Sequence, residues 1–310
     1  MSEKSQEMPE NVPGSQTFDS ALQGFRERID AMDDELIDLI KRRCEIVQEV
    51  GKLKEAHLDT RCFIRPGREA TMIRRISQIF EDHAFSTGAA ASIWRMIIAA
   101  STSIEQPLRI TSYFTPNEQD SYWLAREYFG MFSNIGKENT PTRVIGRLMD
   151  NSALVGVVPQ LETAQDEPWW RLLMERDART RPNIFACLPY AVMETDSSTS
   201  ANGELRPQAL AVGYVDCEPT GNDVTYLVID GKHELSQSRI HSFFTSANQN
   251  ARWLQVLPSP ASDSRLHLIE LEGFFTERST LINELNAQCG DQLQRVAIIG
   301  AHARPILLKS

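Results

Sequence analysis

No two cysteines stand two residues apart. The five present, Cys44, Cys62, Cys187, Cys217 and Cys289, are odd in number and widely spaced. That pattern argues against a zinc site or a disulfide framework. The six histidines, His241, His267 and His302 among them, show no ligand spacing, so no metal is expected. No run of about 18 apolar residues exists to span a membrane. The N-terminal MSEKSQEMPENVPGSQ lacks the apolar stretch of a secretory leader. Together these absences predict a reduced, cytoplasmic protein. Positive charge is also in short supply: 32 Lys and Arg stand against 42 Asp and Glu, a net charge of -10. An acidic chain is a poor partner for nucleic acid or an anionic membrane, and neither is expected. Functional cations must then be local clusters on an acidic background.

What is present is length and pattern. The chain has 310 residues and 41% hydrophobic content, enough for about two or three domains. No internal repeat is visible. Residues 1–17 are rich in Ser, Glu, Gln and Pro and read as a disordered tail. From Phe18 the apolar positions Leu22, Phe25, Ile29, Met32, Leu36, Leu39, Ile40, Val47, Val50 and Leu53 recur at threes and fours. This predicts one helix of about 38 residues, roughly 57 Å long. Gly51 within it costs only about 1 kcal/mol. HLDTRCFIRPG is a break. Two shorter helices follow, in REATMIRRISQIFEDHA and GAAASIWRMIIAASTSIEQ, ending before Pro107. Two short helices cannot cover so long a stripe. A second copy could, so residues 18–106 are expected to form an intertwined helical dimer.

After Pro107 the pattern changes to short β-like runs, LRITSYF, ALVGVVP, NIFACLP and ALAVGYV, with helical SYWLAREYFGMF and TRVIGRLMD between them. That alternation is α/β. METDSSTSANGELRP, 193–207, reads as a polar loop and a candidate lobe boundary. From about residue 222 the order is strand, helix, strand, strand, helix, strand, the βαββαβ arrangement. The fold class is thus α followed by α/β, with units expected at 18–106, 107–218 and 219–310.

Arg43, Val47, Val50 and Lys54 follow at spacings of 4, 3 and 4, which puts two cations on the apolar stripe. Arg43 and Lys54 are about three turns, roughly 16 Å, apart and face the same way. They could close from either end on a small anion. Arg26 lies about 26 Å before Arg43 and cannot reach the same ligand from the same chain. From an antiparallel second copy it could. Arg68 opens the second helix, where that helix would fold back over the first. Each of these cations taken singly reads as well as a helix cation that snorkels or pairs with an acid. The set is harder to read so, because no acidic partner shares the stripe. Such a constellation suits binding of a small dicarboxylate by charge-assisted bonds. Any catalysis would proceed by positioning and electrostatics, without a nucleophile.

FRERIDAMDDELIDLIKRRCEIVQEVGKLK, FIRPGRE and IWRMIIAASTSIEQ together resemble the all-helical class of chorismate mutases. The matching positions are Arg26 with Ile29 and Asp33, then Arg43 and Lys54, then Arg68, then Ser101 and Glu105. Position 65 is Arg where some members have Asp. The resemblance implies rearrangement of chorismate to prephenate, which feeds phenylalanine or tyrosine synthesis and needs no cofactor. It implies that Arg43 and a second copy's Arg26 hold the two carboxylates of chorismate. Lys54 would serve the ether oxygen and a carboxylate, Glu105 the ether oxygen, Arg68 the substrate, and Ser101 the region of the ring hydroxyl. Lys54, Glu105 and Arg43 would be the catalytic members.

The region after 107 is similar to prephenate dehydratases, with departures. That family's run reads G-V-V-P-x-E-N-S, whereas here Gln160, Leu161 and Glu162 follow Pro159 and the Asn-Ser is missing, and Tyr226 stands where the family has an arginine. The last module is similar to ACT regulatory modules, which makes an amino-acid effector a candidate partner, although DGKHELSQS lacks their Pro-Gly. The expected reading is a mutase with a degenerate, non-catalytic appendage. The alternatives are a bifunctional mutase–dehydratase and a non-enzymatic effector-binding regulator.

Overall fold

The computed structural model describes residues 13–57, 61–161, 163, 165–174, 177, 180–194, 208–259 and 263–309. Three helices come first: α1 (Pro13–His57), α2 (Pro66–Phe80) and α3 (Thr87–Glu105). The long helix therefore starts inside the stretch expected to be a disordered tail, and residues 1–12 of that stretch lie outside the described residues, as does most of the 193–207 loop. Pro66 opens α2 from its first helical position, where a missing N–H costs nothing. Ser86 caps α3 by accepting from the Ala89 amide.

The C-terminal part of α1 packs on α3, where Val47 and Gly51 are buried. The part before it lies open. Phe25, Ile29, Met32, Leu36 and Leu39, the stripe read from the sequence, are each more than half exposed.

The remaining elements are β1 (Ile110–Tyr113), α4 (Asp120–Phe129), β2 (Ile135–Glu138), α5 (Pro141–Met149), β3 (Val155–Pro159), α6 (Arg171–Met174), β4 (Asn183–Leu188), β5 (Ala191–Met193), β6 (Ala209–Gly213), β7 (Asp223–Lys232), α7 (Gln237–Ser246), β8 (Ala251–Pro258), β9 (Ser264–Glu272), α8 (Thr280–Cys289), β10 (Leu293–Ala303) and β11 (Ile306–Leu308). Among the described residues, nine strands form one sheet in the order β2-β1-β3-β6-β4-β10-β7-β9-β8, and β5 and β11 pair separately. The last six elements of the βαββαβ order, β7 to β10, give the strand order β10-β7-β9-β8.

A single sheet thus crosses the boundary expected at 218/219. The seam is a parallel pairing of β10 with β4 at Gly300 and Ile184. Gly300 has φ 151°, and a Cβ there would lie 2.2 Å from the Ile184 carbonyl oxygen. Only a residue without a side chain lets the two strands approach this closely.

Both faces of the sheet are covered, as alternation along β7 demonstrates. Tyr226 and Val228 join a core with Trp169, Trp170, Val144 and Leu148, while Leu227 and Ile229 join another with α7 and α8. A third core merges the helices with the sheet: Ile73 of α2 and Ala91 of α3 pack with Tyr122 and Phe129 of α4 and Val155 of β3. The helical region therefore rests on the α/β region.

Two buried histidines make stability depend on pH. Burial lowers the pKa of His302, whose Nδ1 faces the Ala303 carbonyl at 2.8 Å and whose Nε2 faces the Tyr226 hydroxyl at 3.3 Å. Burial, with Arg265 adding to it, also lowers that of His267, whose two ring nitrogens have no partner among the described residues. An unfolded histidine gains its proton near pH ~6.5, above the folded value. The stability these neutral rings contribute is therefore full above about pH 6.5 and lost as pH falls. His267→Leu is expected to show a smaller fall in Tm between pH 7.5 and 5.5 than wild type. Equal falls in the two proteins would rule this out.

Candidate active site

Four of the six site residues expected from the sequence come together. Arg43 of α1 donates to the Ser101 hydroxyl of α3, and Lys54 of α1 donates to the Glu105 carboxylate of α3. Arg43 and Lys54 are about 16 Å apart along their helix, whereas Ser101 and Glu105 are only about 6 Å apart along theirs. The two long cations therefore converge from opposite ends on one short stretch of α3. Ser101 is buried, and its hydroxyl also donates to the Ile97 carbonyl at 2.6 Å. The Lys54 and Glu105 side chains are 19% and 17% exposed, so the pair is largely out of water yet reachable.

Gly51 makes this convergence possible. A Cβ at 51 would sit 3.0 Å from the Cα and carbonyl oxygen of Glu105. The sequence suggests only a small helix penalty there; the structure makes it the contact point of α1 and α3. Gly51→Val is expected to force the helices apart, destabilise by roughly 1–3 kcal/mol and disrupt the Lys54–Glu105 pair. A variant with unchanged Tm and unchanged ligand response would contradict this.

Two further residues shape the site without having been legible. The Phe63 amide donates to Gln106 Oε1 at 3.1 Å, and Gln106 Nε2 donates to the Arg61 carbonyl at 2.9 Å. This pins the loop before α2 to the end of α3. The Phe63 ring then lies 5.3 Å from the Lys54 ammonium, within cation–π reach.

Arg26 and Arg68 are not brought in. Arg26 is exposed on the open part of α1, and Arg68 is exposed in the first turn of α2; neither has a hydrogen bond or ion pair among the described residues. Arg65 points to the other region. Its guanidinium pairs with Glu218 at 2.6 Å, while Arg74 donates to the Thr220 carbonyl at 2.7 Å.

A deeper clamp lies behind α2 and α3. Arg95 donates to Glu69 at 2.9 Å and to the Tyr128 carbonyl at 2.8 Å, and the Tyr128 hydroxyl donates to the same Glu69 oxygen at 2.7 Å. The Tyr128 and Tyr190 rings lie 4.1 and 5.0 Å from the guanidinium. Burial, the largest single influence, works against the charged form of Arg95, but Glu69 together with the Tyr128 and Tyr190 hydroxyls outweighs it and leaves the pKa above the ordinary arginine value. Glu69 belongs to the turn that carries Arg68, so this clamp fixes the origin of α2.

A second concavity, about 610 Å³, opens beside β3. Glu118, Asp120, Asp166 and Glu167 line it, and no lysine or arginine does among the described residues. Behind it the buried Tyr226 hydroxyl lies 3.2 Å from Gln160 Nε2. Glu162 lies outside the described residues. Among the described residues no group of three or more His, Cys, Asp or Glu could hold a metal ion, and no helix is long and apolar enough to cross a membrane.

Residues 25–106 match the chorismate mutase type II family. That span contains Arg26, Arg43, Lys54, Arg68, Ser101 and Glu105. The bifunctional chorismate mutase/prephenate dehydratase of Stutzerimonas stutzeri is 32% identical over 112 residues, 35% of this chain and 30% of that protein. The protein of the same description from Aquifex aeolicus is 26% identical over 148 residues, 46% of this chain and 40% of that protein. The chain thus spans well under half the length of the curated relatives it matches. A prephenate dehydratase structure from Streptococcus mutans aligns at 12% identity and a TM-score of 0.44, covering 66% of this chain and all of that one. The N-terminal region is a helical domain of the mutase type, and an α/β region follows it.

Proposed function

We propose that this protein is a chorismate mutase, converting chorismate to prephenate in the cytoplasm for phenylalanine and tyrosine synthesis. The observation that carries the proposal is the convergence of Arg43 and Lys54 on Ser101 and Glu105, inside the span 25–106 that matches the mutase family. Chorismate is a dianion that rearranges within one molecule, so catalysis needs a compact conformer and stabilisation of the charge that grows on the ether oxygen. Arg43 would hold a carboxylate, and its present partner Ser101 would turn to the ring hydroxyl. Lys54, with Glu105 beside it, would meet the ether oxygen. Arg68, free of partners within the described chain, would swing over the substrate.

Arg26 completes the site only from a second copy. The exposed stripe of α1 from Phe25 to Leu39 supports such a pairing, since a dimer would cover it. Mixing inactive Arg26→Ala with inactive Arg43→Ala protein is expected to restore part of the activity, because some heterodimers hold one intact site. Demonstrated subunit exchange without any restored activity would exclude shared sites.

We read residues 107–218 as dehydratase-like but inactive, and 219–310 as an ACT-like regulatory module open to an amino-acid effector. The names of the relatives favour a bifunctional enzyme. The lining of the cleft beside β3 speaks against it, because four carboxylates with no lysine or arginine among the described lining residues repel a dianion such as prephenate. Purified prephenate is expected to persist with this protein at neutral pH, and formation of phenylpyruvate would establish the bifunctional reading.

A further inference from the structure

The molecule holds another cationic recess, far in sequence from the helical site. A cavity of about 390 Å³ lies between the start of β4, the middle of β10 and the loop after β9. Arg181, Phe274, Phe275, Glu277 and Arg278 are among the residues that line it. Its volume is in the range of small-molecule sites.

Arg181 is the unusual member. It is only 4% exposed, and its Nη2 donates to Glu277 at 3.0 Å and to the Ile298 carbonyl. Its Nε and Nη1 are buried with no partner among the described residues. Burial pushes this guanidinium below the ordinary arginine value, with Glu277 only partly offsetting it. A buried guanidinium left with unpaired N–H groups is costly, and a second acceptor relieves that cost.

Glu277 is the sole carboxylate among the described lining residues, and its side chain is 45% exposed. The loop that carries it is held independently of Arg181. The Phe275 amide donates to Thr225 Oγ1 at 3.0 Å, and the Thr276 amide donates to Ser279 Oγ at 2.8 Å. Glu277 can therefore leave Arg181 without the loop coming undone. With Arg278 added, the described lining carries two cations against one carboxylate, and two phenyl rings supply apolar surface.

We propose that this cavity binds a small carboxylate with a flat apolar body. The carboxylate replaces Glu277 on Arg181, and the apolar body lies against Phe274 and Phe275. Arg278 adds attraction from the rim. The site is distinct from the helical one, and the proposal does not rest on the mutase reading.

The test is calorimetric titration of the full chain with 3-phenylpropanoate and, separately, with 3-phenylpropanamide. The carboxylate is expected to bind with a Kd below about 1 mM, and the amide at least about tenfold more weakly. Glu277→Gln removes the competing carboxylate from an exposed position and should tighten carboxylate binding several-fold. Arg278→Gln should weaken it. The same titration in Arg43→Ala protein should be unchanged, which separates this cavity from the helical site. The proposal is overturned by any one of three results: no carboxylate binding, equal binding of acid and amide, or an affinity indifferent to Glu277→Gln.

Discussion

Arg43→Ala is expected to lower kcat/KM for chorismate at least about 100-fold while the fold survives. Arg43 is exposed, and among the described residues its one hydrogen bond is to Ser101, so removing it takes nothing from a core. A substrate carboxylate that loses a charge-assisted partner in a desolvated site gives up about 3 kcal/mol or more, which is the factor of about 100. Arg43→Lys should recover only part, because an ammonium cannot reproduce the two-pronged guanidinium geometry. Unchanged circular dichroism with activity within threefold of wild type would remove Arg43 from the site.

The second large effect is on stability. Glu69→Ala leaves Arg95, which is 8% exposed, with its charge buried and its principal partner gone. It also takes the acceptor from the Tyr128 hydroxyl. Breaking one side of a buried pair costs about 3–5 kcal/mol, and for a chain of this size Tm should fall by roughly 10 °C. Replacing both members, Glu69→Leu with Arg95→Met, should recover much of the loss, because no uncompensated charge remains. A Tm for Glu69→Ala within about 2 °C of wild type would mean that Arg95 finds another partner. Because Glu69 neighbours Arg68 on α2, the single variant should weaken activity as well.

These two residues mark how far the sequence alone could be read. Arg43 was legible because helical periodicity converts spacing into direction: a cation at the 4, 3, 4 spacing of valines has to face where they face. The same arithmetic located Lys54, and the family resemblance extended it to Ser101 and Glu105. Glu69 was not legible, because its meaning comes from Arg95 and Tyr128, which are 26 and 59 residues away and reach it only after folding. The second role of Gly51 was not legible for a related reason. Its effect is set by the Glu105 backbone across an interface and not by its own helix. The strand β2, Ile135–Glu138, was missed because four residues with a glycine and two charges carry too little alternation to register. The merging of two expected units into one sheet turns on a single close approach, Gly300 against Ile184, to which no local pattern points.

Arg65 illustrates a partial reading. Its departure from the family pattern was visible, but its use was not. It joins Glu218, beside which a Cβ on Gly67 would lie 3.0 Å from the Glu218 Cβ. The turn that presents Arg68 is thereby fastened to the segment leading into β7.

The most direct measurement is the ultraviolet absorbance of chorismate incubated with the purified 310-residue protein at neutral pH. The account predicts enzyme-dependent loss of chorismate with stoichiometric appearance of prephenate, abolished in Arg43→Ala. Chorismate that persists unchanged with folded wild-type protein, at a rate no greater than without it, would contradict the central claim.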